Sequence, residues 1–234
     1  MLPRRWPADP RFGLCGTTTA AREVGGDFHD HFLLADGRCV LVVADVSDKG
    51  VAAGLFAMVC RTLLRAVALQ RQADPPEVAR HVNEGLCADN ESSMFVTAFV
   101  GQYHPESARL DYVSAGHPPS LLVRSNGACE WLSPTGGAAL GVVEEARYAQ
   151  ATVVLLPGDT VFAYTDGVTE AENAQGELFG RARLQTLFEQ RPCASAREAV
   201  DRVLQAVADF SQGAQPSDDI TCMALQCHRN GAPA

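Results

Sequence analysis

The spacing of hydrophobic and polar residues along the chain alternates between the two periods that mark strands and helices. Short runs that are β-branched or alternate in polarity, bounded by Gly, Pro, Asn or Asp, are typical of strands. They cover residues 38–45, 94–103, 109–114, 120–124, 149–156, 160–165 and 220–227. Segments with helical periodicity cover residues 51–70, 75–88, 181–190 and 194–211. Short turns such as LLPGDT join several strands, which favours antiparallel hairpins.

The order of these elements predicts the fold class. The first two helices are consecutive, the last two nearly so, and strands lie between the two pairs. This grouping disfavours a parallel βαβ sheet and favours antiparallel sheets covered by helices. Residues 1–18, rich in Pro and Arg, are predicted as an N-terminal tail and residues 229–234 as a C-terminal tail, so one domain is expected over 19–228.

The helix predicted at 51–70 is apolar almost all round, with Arg61 and Arg65 as its main polar face. A surface helix normally shows one apolar stripe. We therefore expect part of it to dock on a second surface. Two candidates for this second surface remain: the next helix of the same domain, and a partner such as a second copy of the chain. The two arginines argue against a membrane span.

Acidic residues stand at the ends of several predicted strands, where a buried carboxylate needs a partner. Asp45 and Asp166 each stand at the end of a predicted strand, Asp27 follows a glycine pair, and Asp218 and Asp219 precede the last strand. A single Asp in such a place is commonly a turn residue or a helix N-cap. Four such sites together favour convergence on a cation, because like charges at close range raise one another's pKa or require one. A ligand set made only of oxygen favours Mg²⁺ or Mn²⁺ over zinc.

Composition excludes several other classes of protein. With 234 residues, 47% hydrophobic and 20% charged, the chain has enough apolar material for a full core without disulfides. Its net charge of -9 disfavours nucleic acid or an anionic membrane as the main partner. The eight cysteines include neither a CxxC pair nor a cysteine followed six positions later by Arg, the signature of cysteine-dependent phosphatases. The first residues lack the apolar region of a signal peptide or anchor, so we expect a cytoplasmic location and no membrane insertion.

Seven motifs carry a resemblance to a known family. In order along the chain they are EVGGDFHDHF, LVVADVSDKGVAAGLFAM, MFVTAFVG, VSAGHPPSLLVR, LLPGDTVFAYTDGVTEA, LFGRARL and PSDDITCMAL, spread over 23–225. Together they resemble the SpoIIE-like branch of the PPM metal-dependent serine/threonine phosphatases, the bacterial regulators of sigma-factor partner switching. The resemblance implies an α+β fold over 19–228, a four-layer αββα sandwich of two antiparallel sheets flanked by helical pairs, with metal ions in a cleft at one end.

The resemblance also implies a role for each acidic position. Asp45 is expected to bridge two divalent ions, Mn²⁺ or Mg²⁺, with help from the backbone carbonyl of Val46. Asp166 and Asp218 are expected to bind one ion, and Asp27 to bind the other directly or through water.

Other positions are expected to support these ligands. In DDIT the first aspartate aligns with the ligand, which leaves Asp219 behind it, and Gly167 allows close backbone approach. Arg22, five residues before Asp27, stands where the wider class places a phosphate-binding arginine, although a surface arginine is nearly as well supported. Asp48 departs from the branch, which typically has Gly there; we expect its side chain to point to solvent rather than to a metal.

Four remaining residues near these motifs have predictions of their own. His117, in the turn AGHPP, is expected to be structural, with a general acid as the lesser option. His29 and His31 are expected beside the cleft or in solvent rather than as ligands. Lys49, the only lysine, begins a helix and either is merely solvated or steers a phosphoprotein.

The function that the resemblance implies is hydrolysis of phosphoserine and phosphothreonine by metal-activated water. The substrate expected is a phosphorylated anti-anti-sigma (STAS) protein, with a sensor protein acting in trans and a homodimer through 51–70 as further partners. A pseudophosphatase that binds a regulator without turnover is the first alternative. An aspartyl-phosphate protein of the receiver or haloacid-dehalogenase type is the second, and it is disfavoured because it needs alternating βα units.

Overall fold

The computed structural model describes residues 6–88, 90, 93–212 and 217–228. The strands are β1 (Phe12–Thr19), β2 (Phe28–Leu33), β3 (Cys39–Val46), β4 (Val96–His104), β5 (Arg109–Ala115), β6 (Leu121–Val123), β7 (Cys129–Trp131), β8 (Ala151–Val154), β9 (Thr160–Tyr164) and β10 (Ile220–Cys227). The helices are α1 (Val51–Arg71), α2 (Pro75–Ala88), α3 (Gly180–Glu189) and α4 (Ala196–Ser211), and a 3₁₀ turn covers Asp166–Val168. Residues 229–234, predicted as a C-terminal tail, lie outside the described residues.

Two five-stranded antiparallel sheets form the centre of the fold. Their strand orders are β1-β10-β9-β6-β7 and β2-β3-β4-β5-β8. Helices α1 and α2 pack on the sheet that contains β3, and α3 and α4 pack on the sheet that contains β10. A third apolar cluster, drawn from both sheets, joins them face to face. The prediction of a four-layer αββα sandwich is confirmed.

Strand β3 shows how the sequence builds these layers. Val40 and Val42 belong to the cluster under α1 and α2, whereas Leu41 and Val43 belong to the cluster between the sheets. Alternate residues of a strand point to opposite faces. A strand covered on both faces therefore favours apolar residues at successive positions, as in this run. The run ends at Asp45, which is only half-buried.

Three strands, β1, β2 and β7, were not predicted from the sequence. Strand β1 is rich in Gly and Thr, and β2 carries the polar series His29, Asp30 and His31, all buried. The assignment of 1–18 to a tail is wrong from Phe12 onward, because this segment pairs with β10 along its whole length and buries Phe12. The other domain limits stay predictions.

The arginines of α1 face the sheet. Arg61 Nε lies 3.1 Å from Asp30 Oδ2, and Arg65 Nη1 lies 3.0 Å from Asp30 Oδ1. The Asp30 side chain is only 2% exposed. The expectation that Arg61 and Arg65 form the main polar face of the helix is therefore wrong. A buried carboxylate needs paired charges, and Asp30 on β2 draws both arginines inward.

The outward face of α1 is apolar instead. Val51, Leu55 and Val59 are 67%, 65% and 52% exposed, and their spacing of four places them in one row. By length and composition alone α1 is apolar enough to cross a membrane, with 28% of the relevant window buried. Its ion pairs to Asp30 and its share of the apolar cluster make it one layer of the sandwich.

Candidate active site

The strand ends bring the predicted carboxylates to one end of the sandwich. Asp27 immediately precedes β2 and Asp45 lies near the end of β3, and these two ends are adjacent because Phe28 pairs with Ala44. In the other sheet, Asp166 follows β9 and Asp219 precedes β10, which is antiparallel to β9. Each sheet thus contributes its own acidic end to the same region.

Hydrogen bonds tie the two acidic ends together across the sandwich. The hydroxyl of Thr165 donates to Asp27 Oδ2 at 2.6 Å, and the Thr221 amide donates to the Thr165 hydroxyl at 3.0 Å. The Asp27 amide donates to Asp219 Oδ2 at 3.3 Å, and the Ala21 amide donates to Asp219 Oδ1 at 2.8 Å. The two sheets are therefore held in register at the cleft by polar contacts as well as by the core.

The carboxylates raise one another's pKa. Burial, followed by the charges of Asp166, Asp218 and Asp219, raises the pKa of Asp45 to about 7. Burial and then the charge of Asp45 raise the pKa of Asp27. Burial and the charge of Asp218 do the same for Asp166. Negative charge is concentrated here beyond what the neighbouring groups neutralise, which is the electrostatic setting of a cation site.

Glycines allow the backbone to approach these groups closely. A Cβ on Gly25 would lie 2.2 Å from Asp219 Oδ2, and one on Gly167 would lie 1.9 Å from the Asp219 carbonyl oxygen. A Cβ on Gly26 would lie 3.1 Å from the Val46 carbonyl oxygen, tighter than ordinary contact. Any side chain at Gly25 or Gly167 would displace Asp219.

The donor set fits a hard divalent cation. Carboxylate and carbonyl oxygens are the ligands that Mg²⁺ and Mn²⁺ prefer. Among the described residues, no group of three or more His, Cys, Asp or Glu side chains already stands at metal-ligand spacing. The carboxylates would therefore have to adjust their side chains to share an ion.

The two aspartates before β10 differ in burial and in hydrogen-bond partners. Asp219 is buried and accepts hydrogen bonds from the Ala21 and Asp27 backbone amides. Asp218 is about one-third exposed and accepts a hydrogen bond from Lys49 Nζ at 2.9 Å. Arg22 is exposed, in the segment between β1 and β2. Asp48 is exposed, as predicted.

The histidines lie inside the protein. His117 is buried, its Nδ1 lies 2.9 Å from the Thr97 hydroxyl, and burial lowers its pKa to about 3. Such a ring is neutral at pH 7, which favours the structural role over a general acid. His29 and His31 are buried with Trp6 stacked on both rings, so the expectation of a solvent position is wrong.

Two residues of the cleft had no prediction from the sequence. Thr165 bridges Asp27 and β10, and the only signal for it is its place directly before Asp166. Glu170 lies close enough that, after burial, the charges of Asp166 and Asp218 raise its pKa. Both residues lie in the segment that follows β9. The residues around Asp166 were therefore the place in the sequence to look for further residues of the site.

A comparison with family models identifies the group to which the chain belongs. The model of Stage II sporulation protein E (SpoIIE) matches residues 35–228. The chain belongs to the SpoIIE family. The resemblance seen in the seven sequence motifs is therefore confirmed.

Relatives of this SpoIIE-family chain include named phosphatases. It is 30% identical over 250 residues to Protein IcfG of Synechocystis sp., covering 96% of this chain and 39% of IcfG. It is 26% identical over 226 residues to Phosphoserine phosphatase RsbU of Bacillus subtilis, covering 97% of this chain and 66% of RsbU. The chain thus spans less than two thirds of each of these relatives.

A solved structure shows the same fold. The PP2C phosphatase domain and regulatory fragment of SpoIIE from Bacillus subtilis superposes with a TM-score of 0.82 at 16% identity, covering 95% of this chain and 63% of that one. The αββα sandwich of this SpoIIE-family chain is therefore the PP2C fold.

Proposed function

We propose that the chain is a PPM-type protein serine/threonine phosphatase that hydrolyses phosphoserine or phosphothreonine with the help of divalent metal ions. The observation that carries the proposal is the meeting of Asp27, Asp45, Asp166 and Asp218 from both sheets at one end of the sandwich, where burial and mutual repulsion raise the pKa of the first three. The family and the name of the relative RsbU support the same reaction.

The cofactors we propose are two divalent ions, Mn²⁺ or Mg²⁺. Asp45 would bridge them, Asp166 and Asp218 would hold one, Asp27 would hold the other, and the Val46 carbonyl would assist. Bound ions of this kind lower the pKa of a water and neutralise phosphoryl oxygens, so the protein itself needs no nucleophile.

The remaining residues of the cleft position these ligands. The Thr165 hydroxyl donates a hydrogen bond to Asp27 Oδ2 and so fixes the orientation of that carboxylate. Asp219 is engaged by two backbone amides, which supports a role behind the ligands. Gly167 keeps the turn after β9 against Asp219. The exposed Arg22 is available for the substrate phosphate.

The partner we propose is a phosphorylated STAS-type anti-anti-sigma protein, in the cytoplasm. The name of the relative RsbU, a phosphoserine phosphatase, supports a substrate that carries phosphoserine. The exposed row of Val51, Leu55 and Val59 supports a docking role for α1, with a second copy of the chain or a sensor in trans as its occupant. A pseudophosphatase is not favoured, because all four carboxylates are retained.

Hydrolysis of p-nitrophenyl phosphate tests the proposal. We expect activity with Mn²⁺, less with Zn²⁺, and none in excess EDTA. Asp45→Asn and Asp166→Asn should each reduce turnover by about 10²-fold or more while the far-ultraviolet circular dichroism stays unchanged, because each removes charge from a metal ligand. Asp36→Asn, an exposed acid in the β2–β3 turn, is the control and should keep full activity. Full activity in EDTA would overturn the metal mechanism.

A further inference from the structure

The single lysine of the chain lies in the acidic cleft. Among 19 basic residues only Lys49 is a lysine. Its Nζ lies 2.9 Å from Asp218 Oδ2 and donates a second hydrogen bond, of 2.8 Å, to the Ser217 carbonyl oxygen. Two acceptors fix the ammonium group, so its position beside Asp218 is more specific than a chance surface pair.

The backbone before α1 aims this lysine at the cleft. Asp48 has a φ of 85°, a conformation that residues with a side chain seldom adopt, and its Oδ1 accepts the Lys49 amide at 2.8 Å. Gly50 follows with a φ of 91°, and α1 then begins at Val51. The turn between β3 and α1 thus connects Asp45, on one sheet, to a cation that contacts Asp218 beside the other.

The charge of Lys49 reaches further carboxylates. Burial and the charge of Asp218 raise the pKa of Asp166, and Lys49 partly opposes that rise. Lys49 opposes the rise in the pKa of Glu170 in the same way. The ammonium group therefore already supplies some of the positive charge that the carboxylate cluster requires.

We propose that Lys49 is an internal counter-ion of Asp218, which a divalent cation must displace before Asp218 can serve as its ligand. The proposal rests on the metal site of the proposed function. An ammonium group and a divalent ion repel each other at such range. Asp218 therefore cannot bind both of them as strongly as it would bind either one alone. Metal binding and the Lys49–Asp218 contact therefore oppose each other, and this competition lowers the affinity for metal.

Calorimetric titration of the purified protein with MnCl₂ tests the competition directly. Lys49→Gln removes the charge and keeps most of the side-chain length, whereas Lys49→Arg is the matched control that keeps the charge. We expect Lys49→Gln to bind Mn²⁺ more tightly, by up to about fivefold, the range of a half-exposed ion pair. Lys49→Arg should stay within about twofold of the wild type. Equal or weaker binding by Lys49→Gln would overturn the proposal.

A second measurement uses the fact that the chain has one ε-amine. The rate of Lys49 acetylation by an N-hydroxysuccinimide ester is followed by peptide mass spectrometry, with the α-amine as internal reference. We expect Mn²⁺ to raise the rate at Lys49, because the released amine is no longer held against Asp218 and the Ser217 carbonyl and is more accessible to the reagent. Asp218→Asn without metal should raise it as well. A rate that Mn²⁺ leaves unchanged or lowers would contradict displacement.

Failure of this proposal can be told apart from failure of the proposed function. If the wild type takes up no Mn²⁺ in the titration, the metal site is wrong and the Lys49 proposal is overturned with it. If the wild type binds Mn²⁺, Asp45→Asn weakens binding and Lys49→Gln matches the wild type, only the counter-ion role is overturned.

Discussion

Replacing Asp30 by Asn tests what fastens α1 to its sheet. Asp30 lies in the middle of β2, and its side chain is 2% exposed. Both of its oxygens lie 3.0 Å from Arg65 Nη1, and Oδ2 lies 3.1 Å from Arg61 Nε. The His31 amide also donates to Oδ1 at 2.8 Å. The substitution keeps the shape of the side chain and removes the charge that both arginines share.

The expected loss follows from the burial of the three groups. Removing one partner of a buried ion pair costs about 3–5 kcal/mol, because the other charge stays buried without compensation. Arg65 is 37% exposed and also lies over the Phe32 ring, so it can rehydrate, whereas Arg61 is 16% exposed and cannot. We discount the range for solvent access at Arg65 and expect Asp30→Asn to lower the free energy of unfolding by about 2–4 kcal/mol.

Urea unfolding followed by circular dichroism measures this loss. Asp36→Asn is the matched control, since Asp36 also pairs with an arginine, Arg38, two residues further along the β2–β3 connection, but is 42% exposed. An exposed pair of this kind contributes at most about 1 kcal/mol. Arg65→Met should fall between the two variants, because Arg61 would still neutralise Asp30.

The result that would refute this reasoning is a loss of under about 1 kcal/mol for Asp30→Asn, equal to that of Asp36→Asn. The contacts of Asp30 would then add nothing beyond a surface ion pair, and α1 would be held by its apolar contacts alone.

Three further predictions concern other parts of the molecule. Asp48→Gly should increase the free energy of unfolding by up to about 1 kcal/mol, because glycine adopts a φ of 85° without strain. It should change turnover only slightly. The increase is measured as a higher urea midpoint, and a lower midpoint would contradict the prediction. Burial lowers the pKa of His117 to about 3, below its unfolded value of about 6.5. Between these two pH values the imidazole is protonated in the unfolded chain and neutral in the folded one. Stability should therefore fall by about 2 kcal/mol from this group between pH 6.5 and pH 5, and His117→Asn, unfolded in urea at both pH values, should show a shallower fall than the wild type. Leu55→Glu, on the exposed row of α1, should weaken self-association or partner binding by about 1–3 kcal/mol in light scattering or pull-down while leaving p-nitrophenyl phosphate hydrolysis intact; Gln205→Glu on α4 is the control, and unchanged assembly would remove α1 as the docking surface.

The helices and the buried strands could be read from the sequence because their signals are local. Helix α2 has the predicted bounds of 75–88, and α1 differs from prediction by one residue at its end. Strand β3 could be recognised by its unbroken apolar run, which is typical of a strand covered on both faces. The segment order then favoured antiparallel sheets covered by helices, and the family motifs specified the sandwich.

The acidic strand ends were also visible in the sequence, but only as a pattern. Asp45 and Asp166 stood out because each stands at the end of a predicted strand. The pairing of β2 with β3 and of β9 with β10 shows how such ends are brought together. The metal-ligand role of these residues stays a prediction, because it depends on an ion and on side-chain adjustments that the chain alone does not specify.

Long-range contacts explain why strand β2 and the orientation of the α1 arginines could not be predicted from the sequence. Strand β2 was missed because His29, Asp30 and His31 are polar, and a polar residue is buried only where a distant partner satisfies it. Arg61 and Arg65 were assigned to the wet face of α1 by their charge alone, and the buried Asp30, more than 30 positions away, places them inside. The direction in which a charged side chain points depends on the nearest opposite charge in space, and only the packing of the two sheets and their helices determines which charge that is.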